Sequence, residues 1–213
     1  KKITLINTNY SGSNSIAMFK NIPDYIANKY NVKLINQSNN DEFMQRIVES
    51  DVVITTEGNY HFNKKLFNKE QKVVDLWHGF PLKAMGYADK GELFKDYINN
   101  IWENVNYIGS YSELFNIAMN KCINTQMDKY KILGAPRNDF LFKCNGKKNL
   151  YYLFNKKFHN KLVFFYMPTY RYSSRGNRKE GNRRWDNYFD FDYFEEDGFN
   201  KFLMKNDIEL IIK

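Results

Sequence analysis

Short, continuous apolar runs recur along this chain, each followed by a segment with helical spacing. ITLIN (3–7), VKLIN (32–36), DVVITT (51–56), KVVDLWH (72–78), VNYIGS (105–110) and YKILGA (130–135) read as strands. They are apolar runs rather than in/out alternations, the pattern of strands covered on both faces. Ile16, Phe19 and Ile22 keep a helical period as far as Pro23, which kinks that helix or starts a second one. DEFMQRIVES (41–50) is a helix with acids in its first turn, where the helix dipole favours them. SELFNIAMNKC (112–122) is another, with Ser112 as its N-cap. Strand and helix alternate, so the expected class is α/β: a Rossmann-type parallel sheet between two layers of helices. Ligands of such sheets sit beyond the carboxyl ends of the strands.

The pattern changes near residue 143. Segment 143–160 is basic and aromatic and reads as a linking helix. LVFFYMP (162–168) starts a new strand, followed by a long polar loop, a helix at 195–206 and a strand, IELIIK (208–213). The expected organisation is therefore a domain over 1–142, a link over 143–160, and over 161–213 the beginning of a second α/β domain, cut off. No internal repeat is present.

At 43% hydrophobic and 17% aromatic residues, the chain can build a proper core, which argues against disorder. Its formal net charge of +8 favours polyanionic partners such as nucleic acid, anionic lipid or phosphate-rich substrates, or simply marks a basic solvated surface. Cys122 and Cys144 form no CxxC pair, so free thiols in a reducing compartment are expected. KKITLIN at the amino end reads as a core strand rather than a signal peptide. No apolar run approaches the ~20 residues that span a bilayer, so membrane contact would be peripheral.

Three loops at strand ends carry the chemistry: WHGFPLK (77–83), GAPRND (134–139) and MPTYR (167–171). Each holds a proline and a polar or charged group. His78 can take a proton from a hydroxyl near neutral pH, and Gly79 leaves room for a substrate. Lys83, Arg137 and Arg171 suit phosphate oxygens, with Thr169 beside them. Against this, a histidine at a strand end is often structural, and Arg137 alternatively pairs with Asp139 or caps a helix. YSGSNS (10–15) lacks the glycines of a dinucleotide fingerprint and the GK[ST] of a P-loop; it is a connector or, through Ser11, lines an acceptor site. His61 and His159 lack metal spacing and read as structural. Asp186, Asp190 and Asp192 read as surface, and SRGNRKEGNRR (174–184) as a solvated basic loop.

Together the three loops resemble the CDP-glycerol:poly(glycerophosphate) glycerophosphotransferase family of teichoic acid polymerases and primases. Its hallmarks are W-H-G-T-P-L-K, then G-x-P-R-N-D, then a strand ending P-T-[WY]-R, in the order found here. The resemblance runs from about residue 50 to the end, and Phe80 replaces the usual threonine. It implies a GT-B-like architecture of two Rossmann-like domains facing across a cleft. It implies His78 as the base, with Arg137, Arg171, Thr169 and Lys83 on phosphate or nucleotide, and Gly79, Ser11, Asn138 and Asp139 on the acceptor side. The donor would be a CDP-activated polyol, with CDP-glycerol first and CDP-ribitol as the alternative. The acceptor would be a polyol-phosphate chain end or a lipid- or glycan-linked primer, in the cytoplasm or on the inner face of the membrane. The chemistry demands no metal and is compatible with a Mg²⁺ ion on the diphosphate. The family's later K-x-H-P motif would begin at Lys213, so these 213 residues alone are expected to be a poor catalyst. A sugar-nucleotide glycosyltransferase and a non-catalytic basic binding module are the other readings. No nucleic-acid partner is expected, because no helix carries a basic stripe and no known reader motif appears.

Overall fold

A computed structural model describes residues 1–8, 13–57, 70–158, 161–168, 189, 191 and 193–212. The chain divides into two compact units, Lys1–Lys143 and Cys144–Lys213.

The first unit is built on six parallel strands: β1 (Lys2–Asn7), β2 (Asn31–Asn36), β3 (Val52–Thr55), β4 (Lys72–Asp75), β5 (Tyr107–Ser110) and β6 (Tyr130–Ile132). Their order across the sheet is β2-β1-β3-β4-β5-β6. Parallel strands need crossover connections, and helices lie along the chain between β1 and β2, β2 and β3, β4 and β5, and β5 and β6, with one more after β6. These are α1 (Ser13–Lys20), α2 (Asp24–Lys29), α3 (Asp41–Val48), α4 (Lys95–Glu103), α5 (Glu113–Ile123) and α6 (Asp139–Lys143). After β1 the chain steps outward to β2, then returns to β3 on the other side. The strand order therefore reverses between β1 and β3, which opens a crevice at their carboxyl ends.

Register sorts the side chains onto two faces. Val53 pairs with Val73, and Asp75 with Ile108. On this face Phe43 and Ile47 of α3 cover Ile6 and Val53, while Ile98, Trp102, Phe115 and Met119 of α4 and α5 cover Val73 and Ile108. Leu5, Ile54 and Leu76 form the second apolar layer, with Ile3, Val32, Leu34, Val52 and Val74 beside them. Both faces are apolar, which is why the strands read as continuous runs. Ser112 caps α5 by accepting from the Phe115 N–H at 3.1 Å, and Asn40 caps α3 by accepting from Phe43 at 2.9 Å. Pro23 starts a second helix, standing at the N-cap of α2.

Three local expectations change. β4 ends at Asp75, not at residue 78. Toward β3 the ladder continues one residue, with the Leu76 N–H on the Thr55 carbonyl at 2.7 Å, and then Trp77 turns left-handed. The polar stretch 10–15 is not all loop, because α1 starts at Ser13. α4 has no counterpart in the sequence reading: KDYINNIWE is rich in asparagine and lacks a side-chain cap, and buried Ile98 and Trp102 hold it in place.

The second unit holds α7 (Gly146–Phe154), β7 (Leu162–Tyr166), α8 (Glu196–Lys205) and β8 (Ile208–Ile212). β7 and β8 pair in parallel, Leu162 with Ile208 through Tyr166 with Ile212. Tyr166, Phe189, Phe194 and Phe199 cluster with ring centroids 4.9–5.5 Å apart. Glu209 on β8 is held by Lys156 and Lys161, and the Lys156 hydrogen bond keeps its carboxyl below the usual carboxylate range. Cys122 and Cys144 are free. Among the described residues no helix is long and apolar enough to cross a membrane.

Candidate active site

Two residues past β4, Trp77 takes φ 49°. For a bulky residue a left-handed conformation costs about 1–2 kcal/mol, so it persists only where its surroundings fix it. Three contacts do so. Its N–H donates to Oδ1 of buried Asp75 at 2.7 Å, its carbonyl accepts from the Asn14 side-chain amide at 2.8 Å, and its indole packs 5.6 Å from Trp102. The turn redirects the chain so that the His78 ring lies 4.2 Å from the indole, tilted by 30°.

Nδ1 of His78 stands 3.1 Å from the backbone carbonyl of Thr56, just past β3. A carbonyl can only accept, so Nδ1 carries the hydrogen and Nε2 keeps its lone pair in the neutral ring. Nε2 is therefore the nitrogen able to take a proton. The brace comes from the strand beside the crevice. Phe80 presents its ring edge-on to Phe115 at 6.0 Å, so where the family pattern has a hydroxyl this chain has packing onto α5. Lys83 is exposed, farther along the same loop.

The second loop turns at Gly134, whose φ of 77° suits glycine. The N–H groups of Leu133 and Gly134 both donate to the Ser110 carbonyl at 3.0 Å, and Pro136–Asn138 then form a single tight turn. Arg137 points back toward the first loop. Its backbone N–H donates to Oδ1 of Asn14 at 3.2 Å and its Nη1 to Oγ of Ser13 at 3.4 Å. Its Nη2 lies 3.9 Å from where a Cβ on Gly79 would stand. The guanidinium thus flanks the His78–Gly79 backbone. Asp139 does not take Arg137; it pairs with Lys143 one turn along α6 at 3.5 Å. Asn138 and Asp139 are both exposed.

His78, Gly79 and Arg137 therefore come together in the first unit. Ser11, Thr169 and Arg171 lie outside the described residues, as do His61, His159, loop 174–184, Asp186, Asp190, Asp192 and Lys213. Sequence reasoning missed Asn14, Ser13 and Thr56, which hold the loops. It also missed Tyr111, whose buried hydroxyl faces the Asn14 side chain. Burial raises the Tyr111 pKa, with nearby Arg137 and the Asn14 side chain pulling the other way. Among the described residues no group of three His, Cys, Asp or Glu could hold a metal ion. A histidine whose Nε2 keeps its lone pair can take a proton from a hydroxyl, and a guanidinium beside the next residue of the same loop can hold an anionic group.

A family model for CDP-Glycerol:Poly(glycerophosphate) glycerophosphotransferase matches residues 7–213. The chain belongs to this glycerophosphotransferase family. No curated protein sequence matches it. Its fold is similar to that of the wall teichoic acid polymerase TagF, with 17% identity, a TM-score of 0.67, and coverage of 99% of this chain and 56% of that one. A histidine-to-asparagine variant of TagF aligns at 16% identity and TM-score 0.70, covering 100% and 56%. The same variant soaked with CDPG for 30 minutes aligns at 17% and 0.70, covering 99% and 54%. The chain thus spans little more than half the length of these TagF chains. The likeness establishes the GT-B-like α/β fold.

Proposed function

We propose that the protein moves glycerol phosphate from CDP-glycerol to a hydroxyl of a teichoic acid-type or capsule-type polymer or primer and releases CMP. The observation that carries this reading is the His78 ring, held through Nδ1 by the Thr56 carbonyl with Nε2 left to accept a proton, with the Arg137 guanidinium beside the adjoining Gly79. Nε2 takes the proton of the acceptor hydroxyl. The oxygen attacks the β-phosphorus, the bond from that phosphorus to the bridging oxygen breaks, and CMP leaves with the electron pair. Arg137, with Arg171, Thr169 and Lys83 as further proposed partners, offsets charge on the phosphates. Such transfer depends mainly on positioning and electrostatics, which a fixed base and a fixed guanidinium supply. The net charge of +8 supports work beside an anionic leaflet on the cytoplasmic side, where lipid-linked acceptors would be met.

Donor choice tests the reading. With the full-length protein and a polyol-phosphate acceptor, CMP should appear from CDP-glycerol in an acceptor-dependent way. Release from CDP-ribitol alone would keep the chemistry and change the polyol. Release from neither would remove the proposal.

A further inference from the structure

We propose that Asn14 is the positioning residue of this site: its single carboxamide fixes the His78 loop and the Arg137 loop against each other. Asn14 is completely buried, in the first turn of α1. Its amide nitrogen donates to the Trp77 carbonyl at 2.8 Å, and its oxygen accepts from the Arg137 N–H at 3.2 Å. The orientation is forced, because a carbonyl cannot donate and a backbone N–H cannot accept.

One planar group therefore spans loops 63 and 123 residues away in sequence. Each bond acts on the backbone. The Trp77 carbonyl belongs to the peptide that leads into His78, so holding it sets the direction of the imidazole. The Arg137 N–H sets where the guanidinium starts, and Ser13 beside Asn14 steers its far end. α1 is itself anchored, with Ser15 and Ala17 fully buried and its flank against β1 and β2. The strained turn at Trp77 gains one of its fixed partners from the same amide. Asn14 touches neither reacting group directly; it acts through the loops that carry them.

The inference rests on the transferase reading, so its test needs a second readout. The full-length protein is compared as wild type, Asn14→Ala, Asn14→Asp and Gln71→Met. Gln71 is the control: a buried amide that bonds the Ile47 and Ser50 carbonyls at 2.7 Å each, at the amino end of the sheet. Measured are the thermal midpoint, kcat and KM for CDP-glycerol, and the His78 imidazole resonances. Both Asn14→Ala and Gln71→Met should lower the midpoint. Asn14→Ala should also lower kcat by about 10²-fold, the scale of an ångström-level misplacement, and shift the His78 resonances. Asn14→Asp keeps an acceptor for Arg137 and loses the donor to Trp77, so it should lower kcat and leave KM near wild type. It also keeps the side-chain shape should the alanine variant fail to fold. Gln71→Met should leave kcat and the resonances unmoved. Equal losses of kcat at Asn14 and Gln71, or unmoved His78 resonances in Asn14→Asp, would overturn the proposal. If the wild type transfers nothing from CDP-glycerol, the functional reading fails, and the positioning claim stands or falls on the His78 resonances alone.

Discussion

At the residue scale, Gly79 separates two explanations for a glycine beside His78. Its φ lies outside the left-handed region, and an added methyl would meet only Nη2 of Arg137, at an ordinary 3.9 Å. The protein's own packing therefore does not demand glycine there. Gly79→Ala should fold with a stability within about 0.5 kcal/mol of wild type, as substitutions without a steric or polar conflict do. If the acceptor approaches over Gly79, the same change should cut CMP release at least tenfold. Denaturation and a turnover assay on one preparation give both numbers, and an alanine variant of full activity would show that the glycine does not make room for substrate. His78 and Arg137 could be picked from sequence because their types announce chemistry. Asn14 could not, since its role lies entirely in bonds to residues far along the chain.

Elements were legible where one rule governs them. Strands of the six-stranded sheet, with apolar layers on both faces, read as nearly continuous apolar runs, the same run signal marked β7 and β8, and Ser112 announced the start of α5. The rule failed where burial and pairing part company. Leu76 and Trp77 extend the apolar run of β4, yet Trp77 packs its indole on Trp102 from a left-handed loop rather than a ladder. α4 failed for the opposite reason: its asparagines argue against a helix, and tertiary burial of Ile98 and Trp102 overrides them. The cap at Ser112 makes a quantitative test. Ser112→Ala leaves the Phe115 N–H without its side-chain acceptor at the start of a helix that carries buried Phe115 and Met119. Urea denaturation should show a loss of about 1 kcal/mol. An unchanged midpoint would mean that the cap contributes nothing beyond what water supplies.

At the scale of the whole molecule, the family match begins at residue 7, whereas the motifs that signal it begin near residue 50. The first fifty residues carry no hallmark, yet they form β1, β2, α1 and α3 of the same sheet and supply Asn14 and Ser13 to the loops. Motifs report where chemistry is, and the scaffold that aims them is written in ordinary core residues. The account turns on one atom, Nε2 of His78, as the acceptor of the hydroxyl proton. The most direct measurement is acceptor-dependent CMP release from CDP-glycerol by the full-length protein, at saturating donor, as wild type and as His78→Ala. The account predicts a loss of about 10²–10⁴-fold, the contribution of a positioned general base, with the variant still folded. CMP release that survives His78→Ala would contradict it, keeping the chain in its family and taking the base away from His78.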